Sequence, residues 1–184
     1  MTTALIVLGF VTLQRGAELV LAERNTRRLL AKGAVEAAPS HYPLIVGLHA
    51  TWLAGLWLLA FDAHIKAFWL VAFIVLQLLR IWVIASLGER WTTRIIVSPG
   101  AGLVRRGPYR FLAHPNYLVV ASEIAVLPLA FGLPWYALFF SLANAALLAI
   151  RIRAETAALR NVLPPDCVTL GELPRPYGSS SASQ

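Results

Sequence analysis

The chain is poor in charged residues and in cysteine. Only 14% of its 184 residues are charged, and 9 acidic residues stand against 16 lysines and arginines. The apolar fraction of 58% is too high for a disordered chain and exceeds that of soluble domains, which is roughly 45–50%. The one cysteine, Cys167, cannot form an intramolecular disulfide, and no cysteine and histidine spacing indicates a metal site. These properties predict a small polytopic membrane protein.

Apolar runs predict an all-α fold with about five transmembrane helices, since each span needs about 20 apolar residues. The runs are 3–21, 42–61, 66–87 and a longer one, 117–150, which Gly132-Leu133-Pro134 divides into a helical hairpin. We interpret the first run as an uncleaved span, not a signal peptide, because it contains Arg15 and Glu18. We expect one membrane domain over 1–163 and an extended or disordered cytoplasmic tail over 164–184.

Basic residues predict the orientation in the membrane. They concentrate after the first span, after the third span and at the C-terminal end, three segments that five spans place on one side. The positive-inside rule assigns that side to the cytoplasm and the N-terminus to the outside of a bacterial-type inner membrane. We expect the basic loop 22–41 to contact anionic membrane lipids, and we expect no nucleic-acid partner.

Four charged residues lie in the interior of the predicted spans, away from their first and last residues: Arg15, Glu18, Arg80 and Glu123. Arg15 and Glu18 are three residues apart on a helix, so they can form an ion pair. An intramembrane carboxylate is by default a functional candidate. Glu123 therefore either pairs with Arg80 or takes part in the chemistry.

The polar segment between the third and fourth spans lacks several known motifs. Its Gly100-x-Gly102 has no third glycine, because position 105 is Arg, so a dinucleotide-binding fold is excluded. No H-E-x-x-H and no G-x-S-x-G occurs, and we expect no metal. A basic loop with interfacial tyrosines explains most of the composition. It explains less well why His114 and two tyrosines surround a rigid Gly107-Pro108 turn.

Two motifs in this region resemble a known family. The stretch LVRRGPYRFLAHPNYLVV, followed after an apolar hairpin by RIRAETAAL, is similar to the patterns L-V-x-x-G-P-Y-x-x-x-R-H-P-x-Y and R-x-x-x-E-E-x-x-L. Those patterns belong to the isoprenylcysteine carboxyl methyltransferases, which are integral-membrane enzymes. The segments GAVEAAPSHYPLIVGLHA and LLRIWVIASLGERWTTRII also resemble a bacterial branch found beside type III polyketide synthases. Members of that branch O-methylate alkylpyrones or alkylresorcinols.

The resemblance implies an S-adenosylmethionine cofactor in a cytoplasmic-side pocket and a lipophilic acceptor that enters from the bilayer. Arg151 matches the arginine near the acceptor, where it would orient the acceptor oxygen. Ala113 stands where the family has arginine, so Arg110 is the candidate for anion contacts there, and Thr156 replaces the second glutamate. The positions that match the family's cofactor contacts are Gly102, Leu103, Val104, Tyr109, His114, Pro115, Asn116, Tyr117 and Glu155.

The chemistry of these residues suits that cofactor. Glu155 can pair with its ammonium group, His114 can hydrogen-bond its carboxylate, and tyrosine rings can contact its sulfonium or adenine. A carboxylate acceptor needs no general base, whereas a phenol or enol needs one, and His114 and Glu123 are both candidates.

Two other functions stay open: N-methylation of a phospholipid amine, and a non-enzymatic membrane scaffold or carrier.

Overall fold

Five α-helices form the body of the protein, as the apolar runs predict. The computed structural model describes residues 2–39, 42–98 and 104–162, so the expected tail over 164–184 lies outside the described residues. Within those ranges the fold is essentially all-α. The helices are α1 (Thr2–Ala31), α2 (Tyr42–Leu59), α3 (Ala67–Leu87), α4 (Pro115–Ala130) and α5 (Pro134–Val162).

The protein is an integral membrane protein by the length and apolarity of its helices. Four of the helices in the described residues, α1, α2, α3 and α5, are long and apolar enough to cross a membrane. Helix α4 has 16 residues, about 24 Å at 1.5 Å per residue, which is shorter than a hydrocarbon core of about 30 Å. It turns directly into α5 at Gly132, whose φ of 74° is favourable for glycine. The predicted hairpin is confirmed.

Helices α1 and α5 extend beyond the apolar runs that predicted them. Helix α1 continues through its basic residues to Ala31, and α5 continues past Ile150 to Val162. Arg, Glu and Ala are good helix formers, so a change from apolar to charged residues marks the membrane boundary and not the helix end. As a result, Arg151 and Glu155 lie on a rigid helix.

A two-stranded antiparallel ladder joins two of the loops, which the all-α prediction did not include. Strand β1 (Val35–Ala37) pairs with β2 (Ile95–Val97), with Val35 opposite Val97. Arg94 Nη1 donates to Glu36 Oε1 at 3.0 Å and strengthens this connection. Three-residue strands are too short to show an alternating pattern, which is why the sequence did not reveal them.

A buried network of charges ties α1, α3 and α4 together. The Glu123 carboxylate accepts hydrogen bonds from Arg15 at 2.7 Å, from Arg80 at 2.7 Å and from Gln77 at 2.8 Å. Arg80 also donates to the Glu18 carboxylate, and Arg15 Nη1 lies 3.2 Å from Glu18 Oε2. Both ion pairs considered from the sequence are therefore present. Two guanidinium groups and two carboxylates balance one another among apolar helices, which keeps charge from being buried alone.

Candidate active site

A cavity of about 320 Å³ lies where the loop after α3 meets the start of α4 and the end of α5. We call it the loop-side cavity. Its volume is within the usual range of small-molecule sites, about 300–1,000 Å³. Its lining includes seven of the residues that the sequence singled out: Val104, Tyr109, His114, Asn116, Tyr117, Arg151 and Glu155.

The other three expected residues are Gly102, Leu103 and Pro115. Gly102 and Leu103 lie outside the described residues. Pro115 is the first residue of α4 and is buried there, and it is not part of the cavity lining. Proline is favoured at this position because its missing N–H has no helical partner to lose. Pro115 therefore starts the helix that presents Asn116 and Tyr117.

Tyr117 joins the two charged residues of α5. Its hydroxyl donates to Glu155 Oε2 at 2.6 Å and accepts from Arg151 Nε at 2.9 Å. The Arg151 guanidinium also lies 5.5 Å from the centre of the Tyr117 ring. Because hydrogen bonds with charged partners are the stronger ones, this bridge fixes both α5 side chains relative to α4.

His114 completes the group around Tyr117. Its ring stacks on the Tyr117 ring with 5.2 Å between centroids, and its Nδ1 lies 3.9 Å from Glu155 Oε2. Both contacts to the Glu155 carboxylate made within the described residues use Oε2. The cavity thus presents a carboxylate, an imidazole and aromatic faces.

Tyr109 reaches the same cavity from a short 3₁₀ helix, Gly107–Arg110. Burial, together with the nearby negative charge of Glu155, raises the pKa of the Tyr109 phenol well above its usual value. The phenol therefore stays neutral at physiological pH. It contributes an aromatic face and a hydroxyl group, and it adds no charge to the site.

The Gly107-Pro108 turn lies against the end of α3. A Cβ added at Gly107, whose φ is 58°, would lie 2.0 Å from Ser86 Oγ. Arg106 Nε also donates to the Ser86 carbonyl at 2.6 Å. The turn therefore anchors the loop to the end of α3.

Arg110 and Thr156, which concern the two departures from the family pattern, both lie within the described residues. Arg110 is exposed, lies beside the Phe111 ring and does not line the cavity. The arginines that do line it are Arg90, Arg94, Arg105 and Arg151. Thr156 donates to the Ile152 carbonyl of its own helix at 2.8 Å, so its hydroxyl does not substitute for the missing carboxylate.

A second cavity, of about 360 Å³, lies between the helices and was not anticipated from the sequence. This helix-side cavity is lined by residues of all five helices, including His49 of α2 and Asn144 of α5. The two cavities share part of their walls: Trp91, Thr92, Asn116, Tyr117 and Arg151. A histidine within the otherwise uncharged second span was the one sequence signal that could have indicated this cavity.

Comparisons with known proteins identify one family and similar proteins in two bacteria. The pattern that defines the isoprenylcysteine carboxyl methyltransferase (ICMT) family matches residues 69–161. The chain is 38% identical over 160 residues to the uncharacterized protein YpbQ of Bacillus subtilis, covering 84% of this chain and 95% of the relative. An uncharacterized protein of Haemophilus influenzae is 26% identical over 161 residues, covering 79% of this chain and 88% of that protein. No solved structure matches the chain significantly.

Proposed function

The chain belongs to the isoprenylcysteine carboxyl methyltransferase family, and on that premise we propose that it transfers a methyl group from S-adenosylmethionine to an oxygen of a lipophilic acceptor. The observation that carries the proposal is the pair of adjoining cavities. One lies beside the basic loops and has the more polar lining, the other lies among the helices, and Asn116, Tyr117 and Arg151 line both. A two-substrate transfer needs two such sites with one wall in common.

The residues of the loop-side cavity fit S-adenosylmethionine. Glu155 suits the ammonium group, and His114 and the cavity arginines suit the carboxylate, while Tyr109 and Tyr117 offer aromatic faces. The Asn116 Oδ1 atom is buried with no hydrogen-bond partner in the described part of the chain. Because an unpaired buried acceptor costs free energy, a donor on a bound ligand would stabilise it. When bound, the cofactor supplies an electrophilic methyl group on its sulfonium.

The helix-side cavity fits the acceptor. It lies among helices whose outer surfaces carry large exposed apolar side chains, so an alkyl or prenyl chain can reach it from the bilayer. The acceptor we favour is the hydroxyl of an alkylpyrone or alkylresorcinol, on the resemblance of the segments around α2 and the end of α3. An isoprenylcysteine-like carboxylate is the second acceptor of the same class.

The chain's own residues act mainly by positioning. Arg151 is buried and held by Tyr117, so its guanidinium can orient an acceptor oxygen that carries negative charge. Holding two reactants in line lowers the activation free energy, because their translational and rotational entropy is already lost on binding. In the orientation that we propose, with the N-terminus outside, the loop-side cavity opens toward the cytoplasm, where a soluble cofactor is available.

The test is calorimetric titration of the detergent-purified chain with S-adenosylhomocysteine, the product form of the cofactor. We expect saturable binding that Glu155→Gln weakens about 10- to 100-fold, since a hydrogen bond to a charged group is worth about 1.5–3 kcal/mol. The matched control is Glu23→Gln, whose exposed carboxylate pairs with Arg27 on the surface of α1. A folded sample that binds nothing, or a Glu155→Gln variant of unchanged affinity, would refute the proposal.

A further inference from the structure

The His49 ring lies in the wall of the helix-side cavity in one defined tautomeric arrangement. Its Nδ1 is 2.8 Å from the Ile45 carbonyl one turn earlier in α2. A carbonyl can only accept, so Nδ1 carries a proton, and in the neutral ring Nε2 is then an acceptor. Nε2 lies on the side of the ring away from that carbonyl. His49 thus contributes to the cavity lining a ring whose Nε2 can accept a proton.

Two buried donors without partners lie in the same cavity wall. Asn144 and Trp91 are each 2% exposed, and their Nδ2 and Nε1 atoms have no hydrogen-bond partner within the residues that the structure describes. Each would gain a partner if a ligand presented an oxygen to it. The polar part of this cavity thus offers donors for an oxygen atom and an acceptor for a hydroxyl proton.

The other candidates for a base have different partners. Glu123 is fully buried and bonded to Arg15, Arg80 and Gln77, so its carboxylate is already satisfied. His114 stacks on Tyr117 in the loop-side cavity, beside Glu155, and does not line the helix-side cavity. Of these three groups, His49 alone lies where the acceptor would bind.

We propose that His49 is the proton acceptor of the reaction and that Asn144 and Trp91 position the acceptor's oxygen atoms. This rests on the proposed function and specifies it, because a base is needed only for a hydroxyl acceptor. The acceptor oxygen forms its bond to the methyl carbon as the carbon–sulfur bond breaks. The electron pair of that bond stays on the sulfur, and the hydroxyl proton passes to Nε2 of His49. The products are a methyl ether, a neutral thioether and a protonated imidazole.

The test compares two acceptors in the wild type and in His49→Gln. One is a long-chain alkylresorcinol, which must lose a proton, and the other is S-farnesylcysteine, whose carboxylate is already ionised. Positioned bases contribute about 100- to 10,000-fold to rate, so we expect kcat for the alkylresorcinol to fall by that factor with a smaller change in KM. S-adenosylhomocysteine affinity should match that of the wild type, which shows that the variant is folded. The control is His64→Ala, an exposed histidine outside the cavity.

A second readout separates proton transfer from a packing role. Activity of the wild type should fall at low pH as His49 becomes protonated, and this decrease should be absent from the pH–rate profile of His49→Ala. Added imidazole should partly restore the activity of His49→Ala. The other charged and titratable groups that line the cavity or act on His49 stay unchanged in these variants: Arg15, Glu18, Tyr42, Arg80, Tyr117, Glu123 and Arg151.

The possible results are distinct. If His49→Gln keeps the wild-type kcat, or if only the carboxylate acceptor is methylated, His49 is not the base and the inference is wrong while the proposed function stands. If the wild type does not bind S-adenosylhomocysteine, the proposed function fails first and the inference fails with it.

Discussion

Replacing Glu123 by glutamine tests whether this intramembrane carboxylate is structural. Glutamine keeps the shape of the side chain but removes its charge, which leaves Arg15 and Arg80 with Glu18 as the one remaining carboxylate of the network. Removing one partner of a buried ion pair costs about 3–5 kcal/mol. At about 2–4 °C per kcal/mol for a chain of this size, we expect the unfolding temperature to fall by about 6–20 °C.

The assay is thermal unfolding in detergent, followed by circular dichroism. Glu23→Gln is the control, because its exposed pair with Arg27 is worth at most about 1 kcal/mol. The double variant Glu123→Gln, Arg15→Gln should recover part of the loss, since it restores the balance of charges. An unchanged unfolding temperature, combined with lost methyl transfer, would refute this reasoning and return Glu123 to the list of catalytic candidates.

Two further substitutions test the anchoring of the site. Tyr117→Phe removes the hydroxyl between Arg151 and Glu155, so we expect S-adenosylhomocysteine affinity to fall about tenfold or more by calorimetry; unchanged affinity would show that the bridge is dispensable. Gly107→Ala places a Cβ 2.0 Å from Ser86 Oγ at a φ of 58°, and we expect a loss of about 1–3 kcal/mol in thermal unfolding. Its control is Gly9→Ala, where a Cβ would meet nothing within 4 Å, and equal stability of both variants would contradict the steric argument.

The helices and much of the candidate site could be predicted because their signals are local. Runs of about 20 apolar residues define spans, and a Gly-x-Pro sequence within one run defines a hairpin. The grouping of His114 and Tyr117 with Arg151 and Glu155 could be predicted from the α4–α5 hairpin. The hairpin places the start of α4 and the end of the α5 span at the same depth in the membrane. The i, i+4 spacing then places Arg151 and Glu155 on one helical face.

The features that sequence reasoning missed depend on which helix packs against which. The helix-side cavity is lined by both His49 from α2 and Asn144 from α5, and nothing in either segment indicates the other. The role of Gly107 depends on Ser86, which lies about twenty residues earlier on another element. Glu123 had two interpretations because its partners come from α1 and α3. Tertiary contacts of this kind leave no periodic signal along the chain.

The most direct test of the account is to identify the methylated product. The purified chain is incubated with isotopically labelled S-adenosylmethionine and an equal mixture of a long-chain alkylresorcinol, S-farnesylcysteine and phosphatidylethanolamine, and the products are separated by mass spectrometry. We expect the label on oxygen, chiefly as the methyl ether of the alkylresorcinol. A label on the phospholipid amine, or no transfer to any of the three by a folded sample, would contradict the account.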